Sequence, residues 1–325
     1  MRTSNNRPVN RFYLLSLFLL GAFGLQAQQL SLFTQYRENT TVINPAAVES
    51  DFLAFGQNIS FGASYRAQWV GLENAPTTQT IRGSYLATGM SGVALMAGGH
   101  LINDQTGPTG FTGFYGRLAG VVTDDPEYGG FSVGLSAGFV QYRVNASELD
   151  LRDGGDIIGI VDQTQMNPDV GVGVFFYRSI GGRFVDNYIY GGVSVPQVIG
   201  LDLTFKNDQN EFTTQRVQHF YGLLGFYKFF DNGSFLEPSV WVKYVENAPV
   251  NFDVNLRYQL PVALYIGAGG SSAGTVHLET GFVLGENVGF DNMIRLGYGY
   301  DYSFSSFGPT AGSTHELNVA FSFYN

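Results

Sequence analysis

The C-terminal stretch of the chain alternates between two kinds of side chain with a period of two. From Glu316 to Phe323, large apolar residues at odd positions alternate with small or polar residues at even positions. A matching alternation runs from Ile294 to Tyr302. A period of two is that of a β-strand whose two faces meet different surroundings. Because an open strand edge in lipid leaves backbone groups unpaired, a final strand of this kind predicts a barrel in which it pairs with the first strand.

The same alternation recurs along the chain and predicts an all-β fold. We expect a transmembrane outer-membrane β-barrel of about 14 antiparallel strands, an even number as in single-chain bacterial barrels. The predicted strands lie near residues 59–69, 78–87, 91–103, 110–123, 131–145, 169–179, 186–195, 215–230, 234–245, 250–259, 262–269, 275–284, 290–303 and 315–324.

The lengths of the connections predict how the barrel is oriented. The long connections are residues 146–168, 196–214 and 304–314, and all three are odd-numbered in chain order. The even-numbered connections include short turns such as residues 231–233 and 285–287. Long loops outside the cell and short turns in the periplasm are typical of outer-membrane barrels. We therefore expect the odd-numbered connections to face outside.

The composition agrees with a membrane barrel. The chain has 325 residues, 43 of them glycine, with 15% aromatic and 14% charged residues. Beyond the N-terminal leader, no apolar run reaches the length of a transmembrane helix. A secreted β-sandwich is the alternative fold. The net charge of −10 argues against nucleic acid as a partner, and the absence of cysteine excludes disulfides and thiol chemistry.

The first residues predict a secretory signal peptide. Arg2, Arg7 and Arg11 precede an apolar run that ends near Ala27, a small residue suited to cleavage. The predicted divisions are a signal peptide over residues 1–27, an N-terminal periplasmic or plug-like segment over 28–50, and the barrel over 51–325.

The residue types that could support catalysis or metal binding are better explained by structural roles. Gly134-Leu135-Ser136-Ala137-Gly138 matches a nucleophile-elbow pattern, but it lies inside a predicted strand and opens no helix. His277 and Glu279 share a strand face, and the four histidines have no metal-ligand spacing. We expect no catalytic, cofactor-binding or metal-binding residues, and an inward-facing polar network that comprises Arg66, Arg117, Asp253, Arg257, His277, Glu279, Arg295 and Asp301.

Several short motifs in a fixed order carry a resemblance to a known family. They are Asn44-Pro45-Ala46, Tyr65-Arg66-Ala67-Gln68-Trp69, Asn103-Asp104-Gln105-Thr106-Gly107, Pro168-Asp169-Val170-Gly171, Tyr190-Gly191-Gly192-Val193, Gly297-Tyr298-Gly299-Tyr300-Asp301 and Ser313-Thr314-His315-Glu316-Leu317. Together they resemble the PorP/SprF family of type IX secretion system membrane proteins of the Bacteroidetes lineage.

This resemblance implies a non-enzymatic outer-membrane component of protein secretion or gliding motility. It implies docking or anchoring of secreted cargo at the cell surface, with the cargo's C-terminal domain as one partner. A periplasmic peptidoglycan-associated component of the machinery is a second implied partner. The alternative functions are a passive porin or small-solute channel, a surface adhesin and an outer-membrane hydrolase. No cofactor is implied, and the other contact is outer-membrane lipid.

Two predicted outer loops contain apolar residues where water would otherwise surround them, and exposed apolar clusters usually mark partner sites. These candidate docking residues are Ile157, Ile158, Ile160, Val198, Ile199 and Leu201. The alternative is that they fold back as a cap over the barrel mouth. Docking by strand addition is one mode that such loops would allow.

Overall fold

The computed structural model describes residues 33–87, 92–145, 163–182, 185–200, 202–206, 211–305 and 308–325. Its strands are β1 (Ile59–Ala67), β2 (Thr77–Ala87), β3 (Gly92–Thr106), β4 (Thr109–Thr123), β5 (Gly129–Val144), β6 (Gln163–Gly182), β7 (Val185–Val195), β8 (Asp202–Lys206), β9 (Glu211–Gln215), β10 (His219–Phe229), β11 (Phe235–Val245), β12 (Asn251–Gln259), β13 (Leu264–Ser271), β14 (Thr275–Leu284), β15 (Met293–Ser303) and β16 (Thr314–Phe323). Fourteen of them form one closed antiparallel barrel, while β8 and β9 pair only with each other. The predicted fourteen-strand barrel is confirmed.

The barrel closes where the C-terminal strand meets the first strand, as the alternation predicts. β1 pairs with β16 from Ile59 opposite Phe323 to Ala67 opposite His315. In β16 the even-numbered residues from Thr314 to Ser322 are buried, whereas Leu317, Val319 and Phe321 are exposed. The apolar face therefore meets lipid and the polar face meets the lumen.

The antiparallel order collects the connections at two ends of the barrel. We call the end with the odd-numbered connections, such as residues 68–76 and 246–250, the long-loop end. The other is the short-turn end, with residues 230–234 and 285–292, and there β1 begins and β16 ends. The backbone N–H of Asn325 donates to the side chain of Asn58 over 2.9 Å, which ties the two strands together at that end.

Residues 33–58, which we call the lumen segment, lie inside the barrel. They contain a 3₁₀ turn (Tyr36–Asn39), α1 (Thr40–Ile43) and α2 (Ser50–Phe55). From Phe33 to Leu53 every residue is buried except Val42, which is half-buried. The remaining helical pieces are a 3₁₀ turn (Glu286–Val288) and α3 (Gly308–Ala311). Among the described residues, no helix is long and apolar enough to cross a membrane.

The lumen segment overlaps the segment 28–50 that was predicted to be periplasmic or plug-like, and its described residues have partners at both ends of the barrel. The backbone N–H of Thr34 donates to Glu316 near the long-loop end over 2.7 Å. The hydroxyl of Ser60, at the start of β1, donates to Asp51 over 2.6 Å at the opposite end. The segment therefore runs through the lumen from the long-loop end to the short-turn end, because its polar side chains find their partners on the inward face of the wall.

Two predicted loops contain additional strand structure. β6 begins at Gln163, within the predicted loop 146–168, because its pairing with β5 continues without a break from Arg178 to Gln163. In the predicted loop 196–214, β8 and β9 form a hairpin with Asp202 opposite Gln215. Strands of five residues give too short an alternation to be recognised in sequence.

The orientation can be tested with single cysteines, because the chain has none of its own. Cysteines at Glu73 and Glu246, both exposed at the long-loop end, should react with a membrane-impermeant maleimide on intact cells. Cysteines at Asn232 and Glu286, exposed at the short-turn end, should react only after the outer membrane is permeabilised. The reverse pattern would show that the barrel is inserted the other way round.

Candidate functional site

Ion pairs hold the middle of the lumen segment to the barrel wall. The Nε of Arg37 lies 3.3 Å from a carboxylate oxygen of Glu237, and the guanidinium also pairs with Glu279. Glu38 pairs with Arg257 over 2.7 Å and with Arg295. All of these side chains are nearly or completely buried, so removing one partner would leave an uncompensated charge in the interior.

A second polar cluster fixes the segment near the long-loop end. The hydroxyl of Thr34 donates to Asp301 over 2.8 Å, and Arg66 lies 2.9 Å from the same carboxylate. The Nδ1 of His277 lies 2.9 Å from the other oxygen of Asp301. His277 therefore belongs to this network, as expected, and its imidazole holds the carboxylate together with Arg66 and Thr34.

At the short-turn end, acidic residues of the segment face arginines of the wall. Asp51 lies 2.8 Å from Arg295, and Glu49 lies 3.8 Å from Arg82. The hydroxyl of Thr41 donates to Glu49 over 2.9 Å, which fixes that carboxylate within the segment itself. Opposite charges thus meet along the whole length of the lumen segment.

The Asn44-Pro45-Ala46 motif packs against a wall of glycines. The amide of Asn44 donates to the carbonyl of Val174 over 3.0 Å, and its oxygen accepts the N–H of Ala46 over 2.9 Å. A Cβ added at Gly134 would lie 2.6 Å from the carbonyl oxygen of Pro45. Gly134 therefore allows the motif to approach the wall, which gives the nucleophile-elbow pattern a packing role.

Arg37 allows a direct test of the ion pairs. Replacing it with Ala leaves Glu237 and Glu279 buried without that partner, so the barrel should lose about 3–5 kcal/mol of stability. The folded band on unheated gels should disappear at a lower temperature. Arg178→Ala, which removes an exposed arginine, is the matched control and should leave that temperature unchanged. Equal behaviour of the two variants would contradict the role of the ion pairs.

Gly134→Ala tests the packing of the motif independently of charge. The added methyl group meets backbone atoms of the lumen segment, and overpacking of this kind costs about 1–3 kcal/mol. We expect a lower unfolding temperature of the purified barrel. In the control Gly116→Ala, the new methyl group lies 4.0 Å from its nearest neighbour, so stability should not change. A Gly134→Ala barrel as stable as the parent would mean that the motif does not need this glycine.

The candidate docking residues fall in two regions. Ile157, Ile158, Ile160 and Leu201 lie outside the described residues. Val198 and Ile199 are half-buried, and the N–H of Val198 donates to the carbonyl of Val170 in β6 over 2.7 Å. Their docking role stays a prediction.

A polar cluster that was not predicted holds the connection between β7 and β10 to the barrel wall. Arg216 lies 2.9 Å from Asp169 and donates to the side chain of Gln197 over 2.8 Å. The hydroxyl of Tyr115 donates to the same Asp169 over 2.8 Å. Asp169 belongs to the Pro168-Asp169-Val170-Gly171 motif, which was the sequence signal, but its partner Arg216 lies far away in the chain.

The lumen charges of the wall were predicted correctly, whereas their partners in the lumen segment were not. Arg66, Arg117, Asp253, Arg257, Glu279, Arg295 and Asp301 are all buried on the inward face. Their counterparts Arg37, Glu38, Glu49 and Asp51 were not predicted, although a charged segment without strand alternation was a signal for them. Within the described ranges, no group of three or more His, Asp or Glu side chains could hold a metal ion.

Comparison with solved structures shows the fold. The toluene transporter TodX of Pseudomonas putida is 8% identical, with a TM-score of 0.50, over 91% of this chain and 98% of that one. The toluene transporter TbuX of Ralstonia pickettii is 10% identical, with a TM-score of 0.50, over 88% of this chain and 92% of that one. At such identities the likeness concerns the outer-membrane barrel alone.

Comparison with protein families is more specific. No curated protein matches the chain significantly. The family model described as "Type IX secretion system membrane protein PorP/SprF" matches residues 25–321. This match spans most of the closed barrel and the entire lumen segment. The chain therefore belongs to the PorP/SprF family of type IX secretion system membrane proteins, and its barrel lies in the outer membrane.

Proposed function

We propose that this protein docks or anchors secreted cargo proteins at the cell surface through the long-loop end of its barrel. The observation that carries the proposal is the lumen segment, which fills the barrel and is held by paired charges such as Arg37 with Glu279 and Glu38 with Arg257. A lumen filled in this way supports contact with cargo at the rim rather than passage through the barrel. The family supplies the secretion context.

The partner at the long-loop end is the C-terminal domain of a secreted protein. A periplasmic peptidoglycan-associated component of the machinery is the proposed partner at the other end. A vestibule of about 720 Å³ supports this second contact. It lies at the short-turn end and is lined by apolar residues that include Phe52, Phe229, Phe230 and Tyr324. We propose no catalytic step for either contact.

Conductance separates docking from a passive porin. In a planar bilayer the purified protein should show no large, steady open pore, because residues 33–58 occupy the lumen. Arg37→Ala, which loosens the segment, should add brief openings, whereas Arg178→Ala should behave as the parent. A large and steady conductance of the parental protein would favour the porin.

Affinity purification from the outer membrane tests the docking itself. The tagged parental protein should recover at least one secreted protein together with other components of the secretion machinery. Non-specific contacts between exposed charges weaken with ionic strength. A specifically bound secreted protein should therefore still be recovered at high salt. A barrel that is fully assembled and recovers no secreted protein would contradict the proposal.

A further inference from the structure

Strand β6 rises past its neighbour β7 at the long-loop end. β6 pairs with β5 from Gln163 onward, whereas its pairing with β7 begins only at Val172. Residues 163–171 therefore have a ladder on one side. On the other side the chain after β7 continues as far as Val198, which donates to Val170. Beyond Val170, no described strand pairs with this side of β6.

The direction of the backbone groups follows from the neighbouring hydrogen bonds. The carbonyl of Val170 accepts from Val198, so it points away from β5. The N–H of Ser179 donates to Tyr128, so it points towards β5. Alternate residues of a strand direct their backbone groups to opposite sides, and the register with β5 has no interruption from Gln163 to Arg178. Even-numbered residues of β6 therefore face the side without a ladder.

Within the part of the chain that the structure describes, Thr164, Met166 and Pro168 consequently form a free strand edge, which we call the β6 edge. Thr164 and Met166 direct both an N–H and a C=O outward, and Pro168 directs a C=O only. Thr164, Met166 and Pro168 are exposed, and the side chain of Met166 is 65% exposed. Natural edge strands are usually blunted by charges, prolines, bulges or a covering loop. Residues 163–168 carry no charge, and Pro168 blunts only the end of the edge, which leaves the N–H and C=O groups of Thr164 and Met166 available.

At two other places in the rim, connections cover the strand ends. Beyond the end of β1, Val70 donates to Ser313 and Gly71 donates to Ala311, each over 3.0 Å. The N–H of Gly107 donates to the carbonyl of Asn74 over 3.0 Å at the top of β3 and β4. The connections thus continue the ladder where β1 stops, and within the described residues they do not do so beside the β6 edge.

The β6 edge is also held rigidly from below. Asp169, which follows Pro168, accepts hydrogen bonds from Tyr115 of β4 and from Arg216 of the connection before β10. Asp169 is 1% exposed, and both hydrogen bonds are made in the interior. A strand edge fixed in this way loses little conformational entropy when a partner adds to it.

We infer that the β6 edge accepts an extended segment of a secreted protein as an additional β-strand. The inference rests on the proposed docking function and assigns the contact to named backbone groups. Donors and acceptors spaced at every second residue match another extended chain, and main-chain pairing of this kind gives affinity that does not depend on one side chain. The edge lies at the long-loop end, where the proposed cargo arrives.

A second copy of this chain fits the edge less well. Two copies related by a two-fold axis at Met166 would place each Thr164 opposite the other copy's Pro168. Pro168 has no N–H, so both outer pairs would lose a hydrogen bond. The strand of a different protein is not bound by that symmetry. Its register can avoid a pair in which Pro168 would have to donate a hydrogen bond.

Met166→Pro tests the edge. Proline removes the outward N–H but leaves the ladder with β5, because residue 166 does not bond to β5. The barrel should therefore assemble normally on unheated gels. The recovery of co-purified secreted protein should fall about tenfold, as expected when one or two main-chain hydrogen bonds are lost. Met166→Ala keeps the N–H and should recover the secreted protein at the parental level.

The outcomes separate the edge from the docking function. If the parental protein recovers cargo and an assembled Met166→Pro barrel recovers as much, the β6 edge is not the contact, whereas the docking function is unaffected. If Met166→Ala falls as far as Met166→Pro, the contact is made by the side chain and strand addition is excluded. If the parent recovers no cargo, the proposed function fails first. A parental dimer that becomes a monomer in Met166→Pro, measured by light scattering in detergent, would assign the edge to a second copy.

Discussion

Lipid offers no partners to backbone N–H and C=O groups, and the rest of this structure depends on that constraint. The ladder must close within the hydrocarbon, so β16 returns to β1 from Phe323 to His315. Closure in turn fixes the side-chain directions, because alternate residues face lipid and lumen. The wall charges, such as Arg257, Glu279 and Arg295, therefore point into an enclosed space, where an unpaired charge costs several kcal/mol. The lumen segment supplies opposite charges, so the same residues that fill the barrel also pair with the charges of its inner wall.

The period of two was sufficient to predict the wall but not its content. Alternation around Leu317 and Val319 reports the difference between lipid and lumen, and it does so locally, which is why the strand order and the closure could be predicted. The pairing of Arg37 with Glu237 and Glu279 joins residues far apart in the chain, and no local pattern encodes such a contact. Gly134 illustrates the same limit, since its reason lies in the Pro45 carbonyl that it lets approach.

The rim shows where the sequence signal fades in a different way. Beyond the hydrocarbon, both faces of a strand meet water, so the contrast that produces alternation disappears. Residues 163–168 carry only one large apolar residue, Met166, which is too little alternation to indicate a strand, and they were therefore assigned to a loop. Pro168 is a further signal against a strand, because proline is excluded from the middle of a sheet. In the structure the backbone nitrogen of Pro168 points to the side of β6 where no described strand pairs with it. The missing N–H therefore removes no ladder bond.

The same constraint supports the proposal that a partner binds at the rim. Within the membrane the backbone groups of neighbouring strands pair with each other, and inside the barrel wall charges such as Arg257 and Arg295 pair with the lumen segment. Above the hydrocarbon, water satisfies an open edge at little cost, so β6 can stand past β7 without destabilising the barrel. Main-chain groups that are solvated but fixed in direction are those that an extended chain can pair with at little entropic cost. Within the described residues, a filled barrel with an uncovered strand edge at its long-loop end thus combines closure towards lipid with backbone groups that a partner can reach.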